Sequence, residues 1–301
     1  MSFVVQKQRI SRKNQPAVTG PNAHVFMQTP NLALHPFVER FVIVEFPFDR
    51  ELKLLPTTNF FAELRIGGEN GLDGQARLPD AVISGLRDKV RSRSYKGGSA
   101  IMLIKFTEMG AIAFLRNPLD RFFNRTTSMG KVFEHSTEFG PLDQQLAAAK
   151  NHTQRIQIME SFLLEHIRKT RLDPVVSDAI ACLEQNGSTI HIEELAREMG
   201  LSQSALERRF RRKVGASPKR FASILRIKCA IHLRIQGQDF TSIAHSAGYS
   251  DQSHFINDFK RATGFAPSSF FRRSRMCKNA EFLQVAFASN PAAEARGRCG
   301  N

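Results

Sequence analysis

The feature of this 301-residue sequence that most constrains its fold is a segment that occurs twice. Residues 195–218 align with residues 243–267, and the early pairs are 48 residues apart whereas the later pairs are 49 apart, so the turn contains one inserted residue. The matched pairs are Leu195/Ile243, Ala196/Ala244, Gly200/Gly248, Ser202/Ser250, Leu206/Phe255, Phe210/Phe259, Gly215/Gly264 and Pro218/Pro267. A short helix, a Gly-containing turn, a capping Ser or Asp and a second helix are typical of a helix-turn-helix unit. The sequence therefore predicts two such units.

The second helix of each copy has an apolar face and a polar face. At about 100° per residue, the apolar face carries Leu206, Phe210 and Val214 in copy one and Phe255, Phe259 and Ala262 in copy two. The outward residues are Ser204, Ala205, Arg208, Arg211 and Arg212 in copy one, and Ser253, His254, Asn257, Lys260 and Arg261 in copy two. Most of these side chains can bond base edges or phosphates, so we expect both helices to face DNA.

A long helix is predicted between the two copies. Ser217-Pro218 gives it a start and Gly237 an end, and its 19 residues (218–236) span roughly 28 Å at ~1.5 Å per residue. Successive major grooves on one side of B-DNA are about 34 Å apart, so a strut of this size suits two recognition helices in adjacent grooves. Lys219 and Arg220 lie at the positive end of this helix, which is unfavourable for cations, and we therefore expect them to face phosphate.

The charge of the chain indicates a polyanionic partner. Lys and Arg number 43 against 28 Asp and Glu, a net charge of +15, and residues 208–238 contain ten basic residues without one acid. Nucleic acid and an anionic membrane surface both fit this balance. No apolar run approaches the ~18 residues that a membrane-spanning helix needs.

The first half of the sequence predicts strands followed by helices. Four short apolar segments, at 41–46, 59–66, 81–86 and 99–106, are separated by Gly, Pro, Asp and Asn turn signals, and helical spacing follows over 141–170. Asp173-Pro174 marks a junction. We therefore expect an α+β protein with four parts. They are a polar N-terminal arm (1–24), a sensor or dimerisation domain (25–172), a DNA-binding domain (173–278) and a flexible tail (279–301).

The sequence contains no motif that indicates catalysis, metal binding or cofactor binding. The four cysteines (Cys182, Cys229, Cys277 and Cys299) lack zinc-finger or disulfide spacing, the nine histidines lack metal-ligand pairing, and the common nucleotide-binding and hydrolase motifs are absent. We expect a reduced, cytoplasmic protein that is not an enzyme and holds no metal or cofactor.

Over residues 178–273 the sequence resembles the AraC/XylS family of bacterial transcription regulators. The residues that carry the resemblance are Leu201-Ser202, Leu206, Arg208, Phe210, Gly215, Ser217-Pro218, Arg226, Ala230, Ile243-Ala244, Gly248-Tyr249, Asp251, Ser253, Phe255, Phe259-Lys260, Gly264, Pro267 and Arg272. The resemblance implies an all-α domain of seven helices, with two helix-turn-helix units joined by the long helix. It also implies an activator that works with RNA polymerase in the bacterial nucleoid.

The same resemblance implies which residues contact DNA. The implied base contacts are Ser204, Glu207 and Arg208 in the first unit, and Gln252, Ser253, His254 and Asn257 in the second. The cations that we expect at phosphates are Arg211, Arg212, Lys219, Lys260, Arg261 and Arg272.

The first 170 residues are similar to the N-terminal domain of one AraC subgroup. The similarity lies in Pro36-Phe37-Val38, in Leu55-Pro56, and in residues 106–115 followed by Pro118. It implies a small β-barrel-like domain with trailing helices, and as partners a small-molecule effector or a second copy of the chain. Two alternatives stay open: a cupin-like enzyme or small-molecule binding protein with a DNA-binding appendage, and a nonspecific architectural DNA protein.

Overall fold

The computed structural model describes most of the chain. The described residues are 18–20, 23–115, 118–131, 139–168, 173–186 and 190–276. The predicted tail (279–301), which contains Cys299, lies outside them, as do Cys277 and most of the predicted N-terminal arm.

The first half contains antiparallel strands, as its alternating apolar segments predict. The described strands are β1 (Val18–Gly20), β2 (Ala23–Gln28), β3 (Val38–Phe46), β4 (Arg50–Leu54), β5 (Phe61–Gly67), β6 (Leu72–Asp73), β7 (Ala76–Arg77), β8 (Ala81–Ser84), β9 (Arg91–Tyr95), β10 (Ser99–Phe106) and β11 (Thr126–Ser128). They form a seven-stranded sheet in the order β1-β2-β3-β10-β5-β8-β11 and a four-stranded sheet in the order β4-β9-β6-β7. The strand β10 is central, with Ile104 opposite Phe41 on β3 and Ala62 on β5.

The two sheets pack face to face rather than closing into one barrel. Tyr95 on β9 stacks on Phe46 of β3, with ring centroids 4.5 Å apart. The barrel-like domain expected from the sequence is therefore a loose, two-sheet version of that architecture within the described residues.

Helices follow the sheets. They are α1 (Phe139–Ala148), α2 (His152–Glu165), α3 (Pro174–Asn186), α4 (Ile192–Glu198), α5 (Gln203–Val214), α6 (Pro218–Ile235), α7 (Phe240–Ser246), α8 (Gln252–Thr263) and α9 (Pro267–Met276). The seven from α3 to α9 correspond to the seven-helix domain that the family resemblance implies. Together with the strands of the first half, they confirm the α+β fold class. None of the described helices is long and apolar enough to cross a membrane.

The long helix α6 ends one residue earlier than the sequence predicts. The Oγ of Ser217 accepts a hydrogen bond from the amide of Arg220 at 3.4 Å, and Pro218 takes the first helical position, where its missing N–H costs nothing. Beyond the last turn, Gly237 has a φ of +95°, which the other residues rarely adopt. The 18 residues span about 27 Å.

Two apolar clusters divide the helix-turn-helix units between them. The first cluster extends from Leu34 through the sheet and α1–α5 to Ala222, so the first unit (α4 and α5) shares its core with the N-terminal half. The second cluster joins the later half of α6 to α7, α8 and Phe270, and it includes Leu55 from the N-terminal half. Packing therefore crosses position 173 at both units.

Candidate nucleic-acid interface

Each recognition helix begins at a side-chain cap that follows a left-handed glycine. In the first unit Gly200 has a φ of +66°, and Ser202 accepts a hydrogen bond from the amide of Ala205 at 3.3 Å. In the second unit Gly248 has a φ of +73°, and Asp251 accepts from the amide of His254 at 2.7 Å. The extra residue of the second copy thus lies between the glycine and the cap, so the structural equivalent of Ser202 is Asp251 and not the Ser250 with which the alignment pairs it.

Each recognition helix also ends in the same way. Gly215 closes α5 with a φ of +103°, and its amide donates to the carbonyl of Arg211 at 2.9 Å. Gly264 closes α8 with a φ of +80°, and its amide donates to the carbonyl of Lys260 at 2.8 Å. The two helices therefore have the same length, the same kind of C-terminal cap and equivalent faces.

The buried faces are those that the helical spacing predicts. Leu206, Phe210 and Val214 on α5 are fully buried. On α8, Phe255, Phe259 and Ala262 are buried as well. The opposite faces are thereby turned to solvent.

The residues that the sequence assigns to base contacts lie mostly on these open faces. The exposed ones are Ser204, Arg208, Gln252, Ser253, His254 and Asn257. Glu207 is half-buried, and its carboxylate accepts from Gln203 Nε2 at 3.1 Å and lies 3.9 Å from Arg211 Nη2. Glu207 is therefore already engaged by two neighbours on its own helix.

The cations assigned to phosphates are all exposed. They are Arg211, Arg212, Lys219, Lys260, Arg261 and Arg272. One of them is also part of the fold, because the guanidinium of Arg261 forms an ion pair with Asp258, whose side chain is 4% exposed. The i,i+3 spacing of these two residues on a helix was a signal that could have revealed the pair.

Three further cations hold the units together, and sequence reasoning did not assign these contacts. Arg209 Nε donates to Asp173 Oδ2 at 2.6 Å, which joins α5 to the start of α3. The Cζ of Arg226 lies 5.1 Å from the centre of the Tyr249 ring, and this contact joins α6 to the turn between α7 and α8. Arg220, expected at phosphate, instead pairs with Asp88 of the N-terminal half.

Ionisation supports the geometry of the second unit. Hydrogen bonds from the amide of His254 and the hydroxyl of Ser250 hold the pKa of Asp251 below its usual 3.8, so this cap stays charged at neutral pH. Burial, with the adjacent Asp258 carboxylate, raises the pKa of Tyr249, so its hydroxyl stays a hydrogen-bond donor.

The space between the two sheets holds a buried polar network. Arg93 pairs with Glu63, which also accepts from the Tyr95 hydroxyl at 2.8 Å. The other end of the Arg93 guanidinium donates to Ser84 Oγ at 2.9 Å and Thr126 Oγ1 at 3.0 Å. These bonds engage both terminal nitrogens of the Arg93 guanidinium, whereas its Nε is buried without a hydrogen-bond partner. In the described part of the chain, no three His, Cys, Asp or Glu side chains come together to hold a metal.

Known proteins resemble this chain over about a third of its length. A putative AraC-like transcription regulator from Streptomyces lividans is 34% identical over 106 residues, which is 35% of each chain. The transcriptional activator RhaS from Escherichia fergusonii is 32% identical over 114 residues, 37% of this chain and 40% of that one. The chain thus spans well under half of the length of these curated relatives.

Solved structures resemble it at lower similarity. ToxT from Vibrio cholerae is 12% identical, with 82% of this chain and 96% of that chain covered and a TM-score of 0.43. The C-terminal domain of AraT from Geobacillus stearothermophilus is 28% identical, with 35% and 88% covered and a TM-score of 0.32. Both TM-scores are too low to establish a common arrangement of the whole chain.

A domain family delimits the matched segment. Residues 195–273 match a helix-turn-helix domain family. This range extends from α4 to α9 and contains both recognition helices. Residues 195–273 of this chain therefore form a helix-turn-helix domain, and the resemblance of the sequence to AraC-like transcription regulators is confirmed.

Proposed function

We propose that this chain is a sequence-specific DNA-binding transcription regulator, an activator, that inserts α5 and α8 into successive major grooves of one site. The observation that carries the proposal is the pair of equivalent recognition helices with exposed polar faces, joined by a helix of about 27 Å. A second groove lies about 34 Å along the duplex, within reach of side chains at the two ends of such a strut.

Base reading is proposed for the exposed residues near the start of each helix. Arg208 can bond guanine O6 and N7 together, and Gln252 and Asn257 can bond adenine N6 and N7. Ser204, Ser253 and His254 can bond either a base or a phosphate, while Glu207 can accept from a cytosine amine if it releases Gln203.

Phosphate binding is proposed for the exposed cations around these faces. Arg211, Arg212 and Lys219 would hold the backbone at the first unit, and Lys260, Arg261 and Arg272 at the second. Such contacts fix the register of a protein on the duplex and make its affinity strongly dependent on salt.

The remaining parts of the proposal concern partners and domains. We propose that residues 25–172 form a sensor or dimerisation domain, residues 173–278 bind DNA, and the chain acts with RNA polymerase in the bacterial cytoplasm without enzymatic activity of its own. We propose an open site for a small-molecule effector, because Glu63, Arg93 and Tyr95 are buried between the sheets. A cleft of about 390 Å³ is the candidate for this site, and its lining includes three cations (Arg50, Arg77 and Lys96) and three carboxylates.

The test is selection of duplexes from a random pool by the full chain, followed by gel shifts on selected and scrambled DNA. We expect a preferred site of two half-sites, bound at least about a thousandfold more tightly than scrambled DNA. Equal affinity for all sequences would contradict base reading and would favour the architectural alternative. Gel shifts with the fragment 174–278 then test whether DNA binding resides in that domain.

A further inference from the structure

The N-terminal half contacts both recognition helices at equivalent points. Gly215 and Gly264, which end α5 and α8, occupy the same position of the repeat. A Cβ added at Gly215 would lie 3.1 Å from the carbonyl oxygen of Leu119 and 3.3 Å from the Phe60 ring. At Gly264 it would lie 3.4 Å from a methyl group of Val90. The ends of both helices therefore rest on one surface.

Residues 86–90, here called the bridging segment, form the part of that surface that links the two units. The carboxylate of Asp88 pairs with Arg220, in the first turn of α6 beside the first unit. The amide of Val90 donates to the carbonyl of Ala262, in the last turn of α8, at 2.7 Å. That carbonyl is one of the last four of α8, which have no hydrogen-bond donor within the helix. The amide of Val90 therefore supplies the donor that the helix lacks.

The bridging segment is itself held firmly by the N-terminal half. Asn124 Nδ2 donates to Asp88 Oδ1 at 2.9 Å, and the amide of Asp88 donates back to Asn124 Oδ1 at 3.1 Å. Arg87 exchanges backbone hydrogen bonds with Thr57 at 2.9 and 3.1 Å. The bridging segment is therefore bonded to the N-terminal half on one side and to α6 and α8 on the other. Through these bonds, the position of the sheets determines the positions of the two helices.

The bridging segment provides a second connection between the two units, because α6 alone does not fix their relative orientation. The two units pack into separate apolar clusters, and α6 runs from one cluster into the other. A rotation of one unit relative to the other would change the angle between α5 and α8. The bridging segment opposes that rotation, because it ties the start of α6 and the end of α8 to the same rigid turn.

We propose that Asp88 and Val90 are positioning residues that set the distance between α5 and α8, and thereby the half-site spacing that this chain accepts. This inference rests on the proposed function. It assigns to the N-terminal half a part in operator choice that needs neither effector nor second copy.

The test uses the full chain and a series of duplexes in which one half-site is moved by one to five base pairs. For the wild type, each displacement from the preferred spacing should cost about tenfold or more in affinity, since the second helix then loses base contacts worth at least ~1.4 kcal/mol. Asp88→Asn keeps the bond from Asn124 but removes the pair with Arg220, and Val90→Pro removes the donor to Ala262. Both variants should flatten the spacing profile to about threefold, with affinity for a single half-site unchanged.

Asp49→Asn is the matched control. It removes the same charge at the other end of β9, where Asp49 pairs with Lys96, and it should leave the profile unchanged. A destabilised protein would lose affinity equally at all spacings. A uniform loss, or a profile identical to that of the wild type, would overturn the proposal.

A second measurement does not depend on DNA. Spin labels at Ser204→Cys and Ser253→Cys, in a chain whose native cysteines are replaced by Ser, report the distance between the recognition helices. We expect a narrow distribution that broadens in Val90→Pro. A distribution that Val90→Pro leaves unchanged would contradict the proposal even if an operator is found, whereas absence of an operator alone would contradict the proposed function.

Discussion

The hydroxyl of Tyr249 donates a hydrogen bond to Asp258 Oδ2 at 3.1 Å, which fastens the turn of the second unit to the middle of its recognition helix. The other oxygen of Asp258 pairs with Arg261, so a cation assigned to DNA also neutralises a buried carboxylate. The proposed DNA contact and the stability of α8 therefore depend on the same side chain. On α5 the equivalent position is occupied by Arg209, which pairs with Asp173 instead.

We predict that Arg261→Ala lowers the free energy of unfolding by about 1 to 3 kcal/mol, between the values typical of an exposed ion pair and of a broken buried one. The reason is that Asp258 stays buried without its cation. Urea unfolding followed by circular dichroism measures the loss. Arg212→Ala, on the exposed face of α5, is the control and should change stability by less than about 0.5 kcal/mol. Restoration of stability in Asp258→Asn/Arg261→Ala would confirm the cause, and an equal loss in the double variant would contradict it.

Arg208→Ala and Arg212→Ala should differ in what they do to DNA binding. Loss of a bidentate guanine contact should cost about 1 to 3 kcal/mol on the preferred site alone, whereas loss of a phosphate contact should weaken preferred and scrambled DNA alike. Titrations at several salt concentrations give a second readout. Arg212→Ala should reduce the slope of log affinity against log salt by about one unit, and Arg208→Ala should leave it nearly unchanged. If the two variants behave identically, the rotation assigned to α5 is wrong.

Three glycines with positive φ allow a graded test of the domain contacts. Gly200→Ala meets no atom within 4 Å, so it should cost only the left-handed backbone strain of about 1 to 2 kcal/mol. Gly264→Ala makes an ordinary contact with Val90 and should cost a similar amount. Gly215→Ala adds a close approach to the Leu119 carbonyl, and we expect a total of about 2 to 5 kcal/mol. Equal losses for Gly200→Ala and Gly215→Ala in urea unfolding would show that α5 does not rest on the N-terminal half.

The two recognition helices should respond differently to acid. Asp251 caps α8 and has a lowered pKa, so its stabilisation is complete above its usual value of 3.8 and is lost as the pH falls through the lower folded value. Ser202, which caps α5, does not titrate in this range. Amide hydrogen exchange between pH 5 and pH 3 should therefore show that the first turn of α8 opens before that of α5. Asp251→Ser should remove the difference, and persistence of the difference in this variant would contradict the assignment.

The local structure of the second half follows from the sequence because each signal acts within a few residues. The repeat, the caps at Ser202 and Ser217 and the left-handed glycines specify where helices begin and end, and apolar spacing specifies which faces are buried. The pair of Asp258 and Arg261 could also have been found in this way. Long-range contacts could not.

The contact between Val90 and Ala262 illustrates what sequence reasoning misses. It joins two backbone groups 172 positions apart, and neither residue type favours it. The buried pair of Glu63 and Arg93 is similar, since both residue types are typical of exposed strand positions and are buried here only because the two sheets face each other. Such contacts depend on how sheets and helices come together, which a single sequence does not reveal.

The apolar cluster that extends from Leu34 to Ala222 has a consequence for the order in which the protein is made. A nascent chain leaves the ribosome from its N-terminus, so the sheet cannot complete this cluster until α5 and the start of α6 have emerged. The second cluster needs Phe270 and closes later. The first helix-turn-helix unit therefore folds together with the sheet, and the second unit packs onto a structure that has already formed.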